Sequence, residues 1–273
     1  MFDRAHAIVA AFAAEDGPAA WRLERSVVAR RLDELVDEPD RIRQGNLNLC
    51  GPAALFVVWL RADPVAAMEF AVRLFRVGAA PLGAIEVRAS AALLGRPYGT
   101  TRRASSCPPA DWMLMAALRD STNRTLRYSR PGGPTEAAAA ITLPGAVRTW
   151  LTGTGQFTAV VDQTSLVQRR PFAQALALAP APDREVLLLI AQEMFGRPET
   201  RWRRARDRVR SLVPNHWVIL RTPVQPEGAD RVGFRFWSWG GEHRALIERD
   251  RFARCYYGSV TAMFGPPVLA DPV

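Results

Sequence analysis

A cysteine that attacks a carbonyl does so as the thiolate, so its surroundings must favour the anion. The 273-residue chain offers Cys50, Cys107 and Cys255. No two stand at CxxC spacing. An odd, irregularly spaced set argues against a disulfide framework and against a cysteine-rich zinc site. No metal or other cofactor is expected, and a reducing compartment is the expected place of action. Cys50 stands apart by its context, Gln44-Gly45-Asn46-Leu47-Asn48-Leu49-Cys50-Gly51-Pro52. Asn48 can cap a helix, and Pro52 suits a first helical turn. Cys50 is therefore expected at or near a helix N-terminus, where free N–H groups and the helix dipole favour an anion. Gln44 lies six residues earlier on the incoming loop. Its side-chain NH₂ could join the Cys50 backbone N–H in holding an oxyanion. Cys107, before Pro108-Pro109, and Cys255, beside Tyr256-Tyr257, are expected to be structural.

A nucleophilic thiol also needs a base. The histidines are His6, His216 and His243. His6 falls in a terminal helix, and His243 follows Gly240-Gly241-Glu242 in an expected turn. His216 follows Pro214-Asn215 and opens the strand-like run Trp217-Val218-Ile219-Leu220. A base at the head of a strand can face a cysteine at the head of a helix, which favours His216.

These residues resemble a family. Gln44, Cys50-Gly51, the run NHWVIL that contains His216, and Phe236-Trp237-Ser238-Trp239-Gly240 follow the order of a papain-like cysteine peptidase. The gap from Gln44 to Cys50 is the one used by papain and by the bacteriocin-processing C39-type peptidases. The phrases LNLCGPAALF, LPGAVRTWL and FWSWGG look like a bacterial branch of effectors and polymorphic toxins. The resemblance runs from about residue 44 to 264. It implies a 1–43 helical extension and a 44–273 peptidase domain. One departure stands out. Papain-like enzymes orient the histidine with Asn or Asp, and here Trp237 takes the Asn position. Tryptophan cannot accept a hydrogen bond from an imidazole N–H. Ser238 could, with a slip of one residue, and Glu242 or a backbone carbonyl could also serve.

The elements that must position these groups follow from periodicity. Helices are expected around Arg4–Ala14, Ala19–Val36, Cys50–Leu60, Asp63–Arg76, Asp111–Arg119 and Leu143–Leu151. Asp63-Pro64 reads as a cap with a first-turn proline, and Gly78 as a stop. Residues 80–110 read as loop with short helix. Asp111, Asp120 and Asn123 read as cap and turn residues that could also line a cleft. Beyond residue 155 the period shortens. Phe157–Val161, Val186–Ile190, Trp217–Leu220, Val232–Trp237 and Tyr256–Met263 read as strands of one antiparallel sheet. The fold class is α+β, with a helical lobe packed on the sheet and a cleft between them.

Composition bounds the partners. Hydrophobic residues make up 48% and charged residues 23%, which excludes global disorder. Cys50–Leu60, eleven residues, is the longest apolar stretch. That is well short of the roughly 20 that span a bilayer, so no membrane association is expected. The net charge is +9, and all 36 basic residues are arginine. They are dispersed except in Arg201–Arg210, read as a solvated helix face. Nucleic acid is therefore not the expected partner, although a basic binding module remains an alternative.

The expected function is hydrolysis of a protein or peptide. Cys50 attacks, His216 shuttles the proton, Gln44 holds the oxyanion and Ser238 orients the base. Glutamine deamidation or transglutamination by the same groups is the alternative. The resemblance further implies delivery into competing bacteria by a dedicated secretion system, action in the target-cell cytoplasm, and a cognate immunity protein. No signal peptide is evident, since Asp3 offsets Arg4 ahead of the short apolar patch.

Overall fold

The computed structural model describes residues 1–98, 107–123, 128, 142–196 and 212–265. The basic run 201–210 lies outside them. The chain is α+β, with helices first and a sheet after them. It divides into two compact units, one of residues 1–142 with 238–241 and the other of 143–237 with 242–273. The 43/44 boundary read from the sequence falls inside the first unit.

In the first unit, α1 (Phe2–Ala13) and α2 (Arg25–Asp37) are followed by a 3-10 turn (Pro39–Arg41), α3 (Cys50–Ala62) and α4 (Pro64–Val77). A short hairpin of β1 (Ala79–Leu82) and β2 (Ile85–Arg88) comes next, then α5 (Ala91–Leu94) and α6 (Pro109–Thr122). The hairpin replaces the loop expected after residue 80. Helix α2 begins at Arg25, later than the expected Ala19. The apolar run explains α3, whose residues 50–60 are all buried. It packs on α4 and α6. Asp63 caps α4 by accepting a bond from the Ala66 N–H at 2.9 Å, and Gly78 closes it at φ 71°. Aromatic residues knit the core. Trp59 meets Phe70 with ring centres 5.3 Å apart, Trp21 meets Trp112 at 5.4 Å, and the Trp21 N–H reaches the Leu74 carbonyl at 2.9 Å.

In the second unit, α7 (Ala146–Gly153) precedes β3 (Phe157–Asp162), α8 (Phe172–Leu176) and β4 (Arg184–Ile190). Then come β5 (His216–Leu220), β6 (Gln225–Glu227), β7 (Arg231–Ser238), β8 (Gly241–Glu248), α9 (Arg249–Cys255) and β9 (Tyr256–Phe264). The strand order is β3-β9-β4-β5-β7-β6, with β8 also paired to β7. The pairs β3–β9, β9–β4, β4–β5, β5–β7 and β6–β7 are antiparallel. Strands β4 and β5 are buried almost throughout, as expected of central strands in apolar β-branched sequence. His243 sits in β8 and not in the expected turn, and β6, β8 and α9 are elements additional to the strands expected in this unit.

Candidate active site

Cys50 is the first residue of α3. Leu49 and not Asn48 is the N-cap residue, and no side chain caps the helix. The Ala53 N–H bonds the Leu49 carbonyl at 2.9 Å, and Pro52 has no N–H. The first-turn amides of Cys50 and Gly51 thus have no acceptor within the helix. They and the dipole favour negative charge at the Cys50 sulfur or on an oxygen beside it. Cys50 is 6% exposed.

Gly51 is set by what presses on it. An added Cβ would lie 2.5 Å from Thr142 Cβ and 2.6 Å from its Cγ2. Helix propensity alone would reward alanine here by up to about 1 kcal/mol. Overpacking against a branched, buried side chain costs about 1–3 kcal/mol. Gly51→Ala is therefore expected to destabilise the fold by about 1–2 kcal/mol. Denaturant unfolding checks this, and a gain in stability would show that Thr142 yields.

Gln44 is held by its flanks. Its carbonyl accepts from the Leu47 N–H at 3.1 Å, and Gly45 supplies φ 56° for the turn. Just before it, the Arg43 N–H donates to Asp111 Oδ2 at 2.7 Å. The Arg43 carbonyl accepts from the Cys107 thiol at 3.1 Å. Asp111, fully buried at the start of α6, also takes two bonds from Arg31 of α2, from Nε and Nη2, each 2.9 Å. Arg31 Nη2 reaches the Arg41 carbonyl as well. Burial raises the Asp111 carboxyl above its ordinary value, and the Arg31 and Arg43 bonds offset only part of that rise. Burial also works against the Arg31 charge, but its bonds to Asp111 and Glu34 raise it above its ordinary value. The Gln44 side chain itself is buried, and its Oε1 has no hydrogen-bond partner among the described residues.

The Ser238–Gly241 turn belongs to this same unit. Trp239 and Gly240 have φ 50° and 82°. Two successive positive φ values in a two-residue connection are the hairpin geometry that follows the twist of β7 and β8. A Cβ on Gly240 would lie 2.5 Å from Arg43 Cγ and 3.1 Å from the Ile42 carbonyl oxygen, so glycine lets the turn lie on the segment leading to Gln44. Ser238 is buried, and Trp239 is partly exposed.

His216 belongs to the second unit, at the head of β5 opposite Ile190 of β4. The preceding residue is fixed at both ends. The Asn215 N–H donates to the Ile190 carbonyl at 3.0 Å, and Asn215 Oδ1 accepts from the Gln192 N–H at 2.8 Å. Burial lowers the His216 imidazole to about 3, so it is neutral at pH 7, and burial works against its protonated form. Of the alternatives for a third residue, Trp237 is buried opposite Ile219, and the Glu242 carboxylate pairs with Arg235. The other histidines have different settings. His6 bonds Asp33 and Asp37, and His243 is exposed beside the Phe236 ring.

The remaining thiols are buried as Cys50 is, but neither is the first residue of a helix. Burial pushes Cys107 well above its ordinary value and Cys255 up to about 11. None of the three cysteines is in a disulfide. Arg119, not singled out by the sequence reading, is buried on α6 in the same unit as Cys50. A lone arginine within the apolar run of α6 was the available signal. Asp120 next to it lies within α6 and accepts from the Ser90 N–H at 2.8 Å, so it ties α6 to the start of α5 and is not the turn residue expected of it. Among the described residues, no cluster of three metal-ligating side chains occurs, and no helix is long and apolar enough to cross a membrane. Comparisons of the chain with protein-family models, characterised proteins and solved structures gave no match.

Proposed function

We propose that the chain is a cysteine hydrolase of papain-like type that acts on a protein or peptide. The observation that carries the reading is Cys50 at the first position of a buried helix, with the pinned, buried Gln44 in the loop before it. The Cys50 thiolate adds to a carbonyl carbon. Its oxyanion is met by the Cys50 N–H and the Gln44 amide. His216, neutral at rest, takes the thiol proton and returns it to the leaving amine. A thioester forms as the amine departs, and water then releases the acid. Ser238 is the proposed orienting group for the base. Delivery into competing bacteria and neutralisation by an immunity protein belong to the same proposal.

Two measurements test it. Cys50 should react with iodoacetamide at pH 7 about tenfold or more faster than Cys107 and Cys255, because its place at a helix N-terminus favours the thiolate while burial alone disfavours it at the other two. Equal labelling of the three in the folded protein would remove the nucleophile. Wild type produced inside bacteria should arrest growth and leave cleaved protein fragments, and Cys50→Ala should do neither. A mass gain of about one unit without cleavage would mean deamidation by the same thiol.

A further inference from the structure

We propose that Cys107 and Asp111 are positioning residues for the Gln44 amide: they grip the two backbone groups of Arg43 and so fix the place from which Gln44 meets an oxyanion. The proposal rests on the reading of Gln44 as oxyanion donor in the chemistry of Cys50, and every contact it uses lies within the first unit. The Arg43 N–H donates to Asp111 Oδ2 at 2.7 Å, and the Arg43 carbonyl accepts from the Cys107 thiol at 3.1 Å. That carbonyl belongs to the planar peptide that carries the Gln44 nitrogen, so its bond sets the plane from which Gln44 departs. Arg43 itself is exposed, whereas Ile42 and Gln44 on either side are buried.

Both gripping side chains come from the start of one helix. Cys107 stands just before Pro108, the N-cap residue of α6, and Asp111 lies in the first turn. Neither is more than 1% exposed. Arg31 fixes the orientation of the Asp111 carboxylate, with Nε on Oδ1 and Nη2 on Oδ2. Burial pushes the Cys107 thiol well above its ordinary value, so it stays protonated and a donor at neutral pH. On the other flank, the Gln44 carbonyl accepts from the Leu47 N–H at 3.1 Å. The Gln44 side chain has no such tether at its oxygen, since Oε1 lacks a hydrogen-bond partner among the described residues. The aim of the amide is thus inherited from the backbone, and Cys107 and Asp111 set that backbone. A misplacement of about 1 Å at a reacting centre costs about 10²-fold in rate, so the grip matters to turnover.

The test compares two reactions of Cys50 in the same variants. Alkylation by iodoacetamide forms a C–S bond as iodide leaves, and it passes through no oxyanion. Acylation by 4-nitrophenyl acetate does. The thiolate adds to the ester carbonyl, and 4-nitrophenolate leaves as the thioester forms. Cys50→Ala gives the background from the other thiols. Gln44→Ala should slow acylation by about tenfold or more and leave alkylation near wild type. Asp111→Ala should do the same. Cys107→Ala should slow acylation by about threefold or more, and Cys107→Ser, which keeps a donor, should restore it. In the Gln44→Ala background neither change should slow acylation further, a result that a merely structural role would not give. Should Asp111→Ala fail to fold, the two Cys107 variants decide. Wild-type acylation in Cys107→Ala, or an equal slowing in the Gln44→Ala background, overturns the grip while Gln44 stays the donor. Wild-type acylation in Gln44→Ala overturns the donor and the grip together but leaves Cys50 the nucleophile. Wild type acylated no faster than Cys50→Ala overturns the nucleophile as well.

Discussion

Asp111→Ala is expected to cost about 3–5 kcal/mol of folding stability, the usual penalty for removing one partner of a buried ion pair. The magnitude follows from what is left behind. Arg31 has two of its N–H groups committed to this carboxylate, and its side chain is 11% exposed. The Arg43 N–H would lose its acceptor at the same stroke. The exposed bond from Arg31 to Glu34 cannot compensate, because exposed pairs contribute about 1 kcal/mol or less. Denaturant unfolding of Asp111→Ala and of the near-isosteric Asp111→Asn provides the check. A loss under about 1 kcal/mol in both would mean that neighbouring packing, not this pair, holds α2, α6 and the 41–44 segment together. A large loss confined to Asp111→Ala would place the effect in the hydrogen bonds and not in the charge.

His216→Ala should lower kcat on the identified substrate by about 10²–10⁴, the range for losing a general acid–base group. His243→Ala should retain most activity, because that side chain lies exposed on β8. The reverse result would move the base to β8. A second readout needs no substrate. An unfolded histidine titrates near 6.5, whereas buried His216 is lowered to about 3. Between those values the unfolded chain binds the extra proton, so stability rises with pH there. The contribution is complete above about pH 6.5 and is lost as pH falls toward 3. Wild type should therefore be more acid-sensitive over that window than His216→Ala. Equal acid sensitivity would show that the imidazole is not held neutral by burial.

How far the chain could be read in advance depended on whether a residue's role was local. The helix that Cys50 opens was legible because eleven successive apolar residues and Pro52 say so without help from elsewhere. Helix α4 was legible from Asp63-Pro64 and Gly78 at its two ends. Strands β4, β5 and β9 are buried, and their β-branched and aromatic content showed it. Strand β8 did not show, because Ala245 and Ile247 are its only buried residues among Glu242, His243, Arg244 and Glu248. Hairpin β1–β2 is four residues a side and carries Pro81, which reads as loop. In the candidate site, the residue types were legible at Gln44, Cys50 and His216. The clamp of Arg31, Asp111 and Arg43 was not. It joins residues 80 and 68 positions apart, and no local pattern encodes such a pairing. Arg119 was overlooked for a related reason. A charge at the end of an apolar run gives no hint of which side chains it will meet.

The division of the chain also limits how it can be taken apart. The first unit is not one stretch of sequence, since it includes Ser238–Gly241 from between β7 and β8. A fragment ending at residue 142 would keep Gln44, Cys50, the Asp111 clamp and Arg119. It would lack the four residues whose Gly240 lies against Ile42 and Arg43, and so would bare a patch of the segment that leads to Gln44. A single cut therefore cannot release this unit whole. Evolution by swapping the sheet for another module would meet the same obstacle, because any replacement must bring its own tight turn to cover that patch.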